Sequence, residues 1–288
     1  MSTLVPQSPS RFSLGSVRTM PATLGALAIL TLVLGPIAWG FATSLKTEVM
    51  AVRFPPSFLP SPTTLQNYRD VFTYDTFLRE LWNSTLYAVG AVIVAMAVGI
   101  PAGYAAARFE FKAKRAVMLL ILATSMVPGV AVLVPTYYVL DKIGLLNNQL
   151  ALIVLLSARI APQTVWFLQT FISALPLEIE ESASIDGATK WQTITRLVLP
   201  LIKPGLAAVA VIGVITIWND YITVAVFAPE VSKRTLQVTL VNQVFDAAGI
   251  SWSYMMAFAM TTSLPVMILF AIVQKWFIAG LTAGAVKG

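Results

Sequence analysis

The strongest constraint in this sequence is a series of six apolar runs, each long enough to cross a lipid bilayer as a helix. Such a helix needs about 20 mostly apolar residues, and every backbone polar group inside the bilayer must be bonded within the protein. The runs lie at residues 22–44, 84–107, 116–140, 150–172, 205–228 and 254–279. Because they leave almost nothing for a soluble domain, the sequence predicts an all-α integral membrane protein with six transmembrane helices.

The composition supports a membrane location. Charged residues make up 11% of the chain and apolar residues 57%, whereas soluble domains carry about 25% charged residues. A surface this poor in charge cannot be wholly solvated by water. The formal net charge of +6 requires no nucleic-acid partner, because basic residues beside a membrane are attracted to anionic lipid.

Basic residues orient the predicted helices. Cytoplasmic loops are rich in Lys and Arg, and the short loop RFEFKAKR at Arg108 to Arg115 is the most basic one between two runs. With that loop inside, the even number of spans places both termini in the cytoplasm. The sequence therefore predicts a flexible cytoplasmic tail at residues 1–20, a transmembrane domain at 21–279 and a cytoplasmic tail at 280–288.

Several kinds of catalysis are excluded by residues that the chain lacks. It contains no histidine and no cysteine, so triads that use histidine, thiolate nucleophiles and the commonest zinc sites are ruled out. It also lacks the G-x-x-x-x-G-K-[ST] pattern of a nucleotide-binding P-loop. We therefore expect no catalytic site, metal or cofactor in this chain, and any uphill transport would draw on a gradient or another subunit.

A charged insert, EESASIDGATKWQTITRLVLP at residues 180–200, separates the fourth run from the fifth. Acidic residues at its start suit a helix N-terminus, Gly187 can end that helix, and Thr189 with Gln192 fits a capping box. Residues 176–204 are thus predicted to form two helices joined at a glycine and lying parallel to the membrane. An apolar face recurs at helical spacing, at Trp191, Ile194, Val198 and Leu201. From composition alone, a helix resting on lipid is the alternative.

The same insert resembles a loop of the ABC importer permeases, the EAA loop, with the pattern E-A-A-x3-G-x9-I-x-L-P. Glu181-Ser182-Ala183, Gly187 and Leu197-x-Leu199-Pro200 match its spacing, with Ser182 in place of Ala and Leu197 in place of Ile. The resemblance implies that the loop docks into a cleft of an ATPase subunit. The residues implied in that contact are Glu181, Ser182, Ala183, Asp186, Gly187, Leu199 and Pro200.

Two further stretches are similar to one branch of that family, the carbohydrate permeases of the maltose type, and to their smaller partner. These are FPPSFLPSPTTLQNYRDVF at residues 54–72 and the ending GLTAGAVKG at residues 280–288. The resemblance implies that the ending reaches between two ATPase subunits, although a glycine-rich end can also simply fray. The matching positions in this tail are Gly280, Leu281, Thr282, Gly284 and Lys287.

Polar residues within the fourth and fifth runs are candidates for a solute pathway. They are Arg159, Gln163, Trp218, Asn219 and Asp220. An arginine at membrane depth should face protein or a water-filled cavity. One interpretation pairs Arg159 with the Asp220 carboxylate, and the other has Arg159 contact an anionic group of the solute. For Trp218, Asn219 and Asp220, hydrogen bonding between helices and lining of the pathway both remain open.

Two glycine- and proline-containing stretches are predicted to interrupt the second and third helices. They are Gly99–Gly103, whose two glycines also form a small-x-x-x-small packing face, and Met126–Gly129, with Pro135 as a further interruption of the third helix.

The family resemblance implies a transmembrane permease subunit of an ATP-binding-cassette importer, which moves a sugar or sugar-like solute into a bacterium by alternating access. Its implied partners are a homologous second permease, two ATPase subunits that hold ATP and magnesium, an extracytoplasmic solute-binding protein and the lipid of the inner membrane. The alternatives are a gradient-driven transporter or channel, and an importer of a polyol phosphate or other anionic solute. The sequence shows no convincing internal repeat, which secondary transporters often have.

Overall fold

The computed structural model describes residues 16–245, 249 and 251–285, and within these residues the chain forms helices and no strands. The helices, in chain order, are α1 (Ser16–Ser44), α2 (Glu48–Ala51), α3 (Gln66–Thr73), α4 (Phe77–Arg108), α5 (Lys114–Met126), α6 (Gly129–Lys142), α7 (Gln149–Ser173), α8 (Glu178–Ile185), α9 (Lys190–Leu201), α10 (Lys203–Trp218), α11 (Ile222–Phe227), α12 (Leu236–Asn242) and α13 (Trp252–Ala285).

Four stretches of the described chain are helical, long and apolar enough to cross a membrane. They are Thr23–Ser44 of α1, all of α4, all of α7 and Trp252–Gln274 of α13. Two bent pairs, α5 with α6 and α9 with α10, raise the number of candidate spans to six if each pair counts as one. The fold is therefore that of an all-α membrane protein, as the apolar runs predict.

The predicted break at Met126–Gly129 is present. α5 ends at Met126, α6 begins at Gly129, and the two helix axes meet at 91°. Pro128 explains this break, because proline has no N–H to donate and disfavours helical geometry in the residue before it.

The predicted interruptions at Gly99–Gly103 and at Pro135 are wrong, because α4 runs unbroken through Pro101 and α6 through Pro135. Close packing against α7 supports α4 there. A Cβ on Gly99 would lie 2.7 Å from Cγ2 of Thr164, and one on Gly103 would lie 2.9 Å from Cβ of Leu168. The two glycines thus let α4 and α7 approach closely, which confirms the predicted packing face.

The fifth apolar run contains two helices. α10 ends at Trp218, the chain turns at residues 219–221, and α11 begins at Ile222. The Asp220 carboxylate accepts a hydrogen bond from the backbone N–H of Thr223 at 2.9 Å. Asp220 thereby satisfies one of the free donors at the start of α11.

The N-terminus of α13 is bound by a carboxylate from the other end of the chain. Oε1 of Glu48 accepts from the N–H of Trp252 at 3.0 Å, and Oε2 accepts from the N–H of Ser253 at 2.9 Å and from its Oγ at 2.8 Å. Burial acts to raise the pKa of the Glu48 carboxyl, but the hydrogen bonds from residues 251–253 outweigh it and hold that pKa below its ordinary value. This contact fixes α2 to the N-terminus of α13.

Candidate functional site

We call the insert, residues 176–204, the coupling segment. The glycine that is predicted to join its two short helices has the expected conformation. Gly187 lies just beyond α8 with φ +80°, a value that strains any residue with a Cβ. The N–H of Ala188 donates to the carbonyl of Ala183 at 2.9 Å, and that of Gly187 donates to Ser184 at 3.1 Å. These two bonds form a Schellman motif, which fixes the direction in which the chain leaves α8.

The predicted capping box at the start of α9 is also present. Oγ1 of Thr189 accepts from the N–H of Gln192 at 3.3 Å, and Oε1 of Gln192 accepts from the N–H of Thr189 at 2.8 Å. Because α8 is capped at its C-terminus and α9 at its N-terminus, the turn between them is held by hydrogen bonds on both sides. We call this turn, residues 186–189, the elbow.

The coupling segment packs onto the ends of the long helices through α9. Ile194 and Val198 are buried against Leu168 and Ile172 of α7. The turns of α9 at Thr193–Val198 are π-helical, wider than α-helical turns. The predicted apolar face continues only in part, because 67% of Trp191 and 48% of Leu201 are exposed.

Most residues implied in ATPase contact lie on the surface of the coupling segment. Ala183 and Leu199 are half-buried, and the exposed ones are Glu181, Ser182, Asp186, Gly187 and Pro200. Sequence reasoning missed one exposed apolar side chain near the elbow, Ile185 (87% exposed), and placed Trp191 on the apolar face, although Trp191 is exposed as well. Ile185 lies two residues before Gly187, the predicted end of the first helix, and this position was the available signal.

A buried ion pair joins the coupling segment to α4. Oε1 of Glu180 lies 2.6 Å from Nε of Arg108, and Oε2 accepts from the hydroxyl of Tyr104, also at 2.6 Å. Nη2 of Arg108 donates in addition to the carbonyl of Leu175 at 3.1 Å. The side chains of Arg108 and Glu180 are only 10% and 5% exposed. Sequence reasoning did not identify Tyr104, Arg108 and Glu180 as a group of bonded residues.

The pairing of Arg159 with Asp220, one of the two interpretations of the sequence, is present in the structure. Nη1 of Arg159 bonds Oδ2 of Asp220, whose side chain is 1% exposed. Asp220 also accepts from the hydroxyl of Thr223 at 2.9 Å. The Arg159 side chain remains 54% exposed, so the ion pair does not bury it.

One face of α7 is polar over its second half. Its exposed residues recur at intervals of three and four, at Arg159, Gln163, Trp166, Thr170 and Ser173. We call this set the α7 stripe. Polar groups at membrane depth avoid lipid and face protein or a water-filled cavity. The last three members were missed from the sequence, although their helical spacing from Gln163 was a visible signal.

The two remaining pathway candidates differ in position. Asn219 is exposed, and its amide donates to the carbonyl of Ile215 at 2.8 Å. Trp218 is buried, and its indole N–H donates to the carbonyl of Thr262 in α13 at 3.2 Å. Asn219 is thus accessible in the single chain, whereas Trp218 joins α10 to α13.

The C-terminal tail is described only in part. The backbone of Gly280, Leu281, Thr282 and Gly284 continues α13, which extends to Ala285, and Lys287 lies outside the described residues. Among the residues that the structure describes, no group of three or more Asp, Glu, His or Cys side chains could hold a metal ion.

Comparison with known proteins gives concordant matches. A family model described as "Binding-protein-dependent transport system inner membrane component" matches residues 99–282. The chain is 33% identical over 266 residues to the inner membrane ABC transporter permease protein YcjP of Escherichia coli, and the match covers 92% of this chain and 95% of that protein. The chain is 30% identical over 272 residues to the trehalose/maltose transport system permease protein MalG of Thermococcus litoralis, and this match also covers 92% of this chain and 95% of that protein.

A solved structure shares the fold. It is a chain of a bacterial ABC transporter involved in the import of the acidic polysaccharide alginate, with a TM-score of 0.78. The match covers 93% of this chain and all of that chain at 22% sequence identity.

Proposed function

The chain belongs to the family of binding-protein-dependent transport system inner membrane components, and from this premise we propose that it forms the pathway by which a sugar or sugar-like solute enters the cell. Members of this family are transport subunits of ABC importers, and ATP hydrolysis belongs to separate ATPase subunits. The relative MalG is named for trehalose and maltose. The observation that carries the proposal is the α7 stripe, which puts hydrogen-bonding side chains on an exposed face of a membrane-spanning helix.

The solute pathway is formed with a second, homologous permease. The α7 stripe is exposed in the single chain, and its polar groups must be shielded from lipid. A second permease facing α7 would enclose a cavity lined by Arg159, Gln163 and Asn219. Their guanidinium and amide groups suit the hydroxyl groups of a sugar.

The coupling segment is the contact with an ATPase subunit. Its exposed elbow would enter a cleft of that subunit through the polar residues that match the EAA loop, with Ile185 and Trp191 adding apolar contact. One chain has one such elbow, so the assembly contains two permeases and two ATPase subunits, with ATP and magnesium bound in the latter. The C-terminal tail, including Gly280 to Gly284 and Lys287, is proposed to dock between the ATPase subunits.

Both termini lie in the cytoplasm of a bacterium, and the chain crosses the inner membrane several times. The ion pair between Arg108 and Glu180 supports this arrangement, because it puts the basic loop after α4 on the same side as the coupling segment. The positive-inside rule assigns that side to the cytoplasm.

Transport proceeds by alternating access. Closure of the ATPase subunits on ATP moves the two coupling segments together and opens the pathway outward to the solute-binding protein. Hydrolysis returns the pathway to the inward-open state. The capped elbow suits this task, because a rigid contact passes on a displacement that a flexible loop would absorb.

A second candidate solute is an anionic one, such as a polyol phosphate or an acidic sugar. The exposure of the Arg159 side chain favours it, because guanidinium binds carboxylate and phosphate in a bidentate manner. Arg159→Gln should then abolish uptake of an anionic solute and leave that of a neutral one. Equal loss of both would assign Arg159 a structural role with Asp220.

Co-purification tests the assembly. The wild-type chain and Gly187→Val are purified in mild detergent, with Gly144→Val as the matched control. Gly144 also has positive φ, at +67°, and neither glycine has an atom within 4 Å of an added Cβ. We expect wild type and Gly144→Val to retain ATPase subunits and Gly187→Val to lose them. Retention of the ATPases by Gly187→Val would contradict the proposed role of the elbow.

A further inference from the structure

α4 is a single helix with long-range hydrogen-bond clusters at both of its ends. It contains 32 residues, Phe77–Arg108, and is therefore about 48 Å long at 1.5 Å per residue. Its inner end carries Tyr104 and Arg108, which bind Glu180 of the coupling segment. Because Pro101 does not break the helix, the two ends are joined by continuous, packed backbone.

The outer end of α4 holds a short stretch that follows α11, the outer segment Ser232–Leu236. The amide of Asn83 donates to the carbonyls of Ser232 at 3.0 Å and Arg234 at 2.9 Å. The hydroxyl of Tyr87 donates to the carbonyl of Lys233 at 3.1 Å. Three consecutive carbonyls are thus bonded by side chains of α4.

The same end of α4 also accepts a bond from the outer segment. Oγ of Ser84 accepts from the N–H of Leu236 at 3.0 Å. Asn83, Ser84 and Tyr87 are 2%, 3% and 1% exposed, respectively, so water cannot readily replace these bonds. The outer segment therefore follows α4 unless buried hydrogen bonds are broken, each at a cost in free energy.

The position of the outer segment shapes a cavity. Arg234 and Thr239 line a cavity of about 300 Å³ together with five other polar or aromatic side chains. These are Tyr74, Asn242, Gln243, Ser251 and Tyr254. A displacement of the outer segment would move one wall of this cavity.

We propose that α4 carries the movement of the coupling segment to the outer segment, and that Asn83 and Tyr87 are positioning residues that hold the outer segment to α4 during transport. The proposal rests on the proposed function, because the coupling segment must be moved by an ATPase. Its physical basis is the presence of buried bonds at both ends of one rigid helix.

Spin-label distances in the assembled transporter test the proposal. The chain has no cysteine, so introduced pairs are the only labelled sites in it. The inner pair is Leu24→Cys with Leu177→Cys, which lies in the coupling segment outside the proposed ATPase contact, and the outer pair is Val49→Cys with Val231→Cys; all four positions are exposed. Each distance is measured without nucleotide and after trapping with ATP and vanadate.

In the otherwise unchanged protein, we expect both distances to shift on trapping. Asn83→Leu should keep the shift of the inner pair and lose most of that of the outer pair, and Tyr87→Phe should reduce the outer shift less. Thr85→Val is the matched control on the same helix, because Thr85 is exposed and its hydroxyl bonds the carbonyl of Leu81 within α4. Both shifts should be unchanged in it.

The outcomes separate this proposal from the one on which it rests. A missing shift of the inner pair in wild type would contradict ATPase coupling itself. A shift of the inner pair without one of the outer pair in wild type, or a full outer shift in Asn83→Leu, would overturn the role of α4. If Asn83→Leu does not assemble, Tyr87→Phe decides: an unchanged outer shift overturns the proposal and a reduced one supports it.

Discussion

The two ends of α4 hold their partners by different means. At the inner end, the buried carboxylate of Glu180 is bound by Arg108 and Tyr104. At the outer end, the neutral side chains of Asn83 and Tyr87 bind three backbone carbonyls. Charged hydrogen bonds contribute about 1.5–3 kcal/mol and neutral ones about 0.5–1.5 kcal/mol. The inner contact is therefore concentrated in one charge, whereas the outer one is spread over weaker bonds.

This difference fits the proposed tasks of the two ends. A contact that is pushed by an ATPase benefits from a strong, localised bond that does not yield. A contact that sets the wall of a cavity can be the sum of weaker bonds.

The largest effect is expected from Arg108→Leu. It leaves the Glu180 carboxylate buried without its cation, and loss of one partner of a buried pair costs about 3–5 kcal/mol. The free energy of unfolding in mixed detergent measures this loss. Adding Glu180→Leu should recover much of it, because both charges are then gone. If Arg108→Leu alone were as stable as wild type, the ion pair would not be buried as described.

Asn83→Leu should have the next largest effect. It removes both bonds to the carbonyls of Ser232 and Arg234, and an unsatisfied buried polar group costs about 1–3 kcal/mol. The same unfolding measurement applies, with Thr85→Val as the unaffected neighbour. A loss as large as that in Arg108→Leu would contradict the contrast between the two ends.

The same substitution at each end compares them directly. Tyr104→Phe removes a bond to a carboxylate and Tyr87→Phe removes one to a backbone carbonyl. We expect Tyr104→Phe to be the more destabilising by about 1 kcal/mol. Equal losses of unfolding free energy would mean that charge does not distinguish the two ends.

The smallest effect concerns Glu48, whose carboxylate binds the N-terminus of α13 and does not contact α4. Its folded-state pKa is lowered from 4.5 by hydrogen bonds that outweigh burial. The stabilisation is therefore present above the unfolded pKa and is lost as the pH falls through the lower folded pKa. Glu48→Gln should lose about 0.5–1 kcal/mol near pH 7 and less at acid pH, as measured by unfolding across pH. A loss that does not change with pH would rule out this linkage.

Local features of the fold could be predicted from the sequence, because their partners lie within a few residues. The turn at Gly187 and the box of Thr189 with Gln192 depend on bonds between residues at most five apart. Likewise, the break at Pro128 follows from the geometry of one residue.

Features that depend on packing could not be predicted in the same way. Glu180 and Arg108 are 72 residues apart, and no local pattern selects that arginine over others. Continuation of α4 through Pro101 depends on the surface of α7 that meets Gly99 and Gly103. Asp220 was predicted as a partner for Arg159 because few carboxylates lie at membrane depth. The exposed fraction of the Arg159 side chain, however, could be learned only from the structure.

We propose that this chain moves a sugar-like solute with energy from ATP. The most direct test is uptake of radiolabelled maltose, trehalose and glycerol 3-phosphate into liposomes that hold the co-purified subunits and their solute-binding protein. We expect uptake of at least one of these with ATP and magnesium inside, and none with an ion gradient alone or with Gly187→Val. Uptake driven by a gradient without ATP, by the chain purified alone, would contradict this proposal.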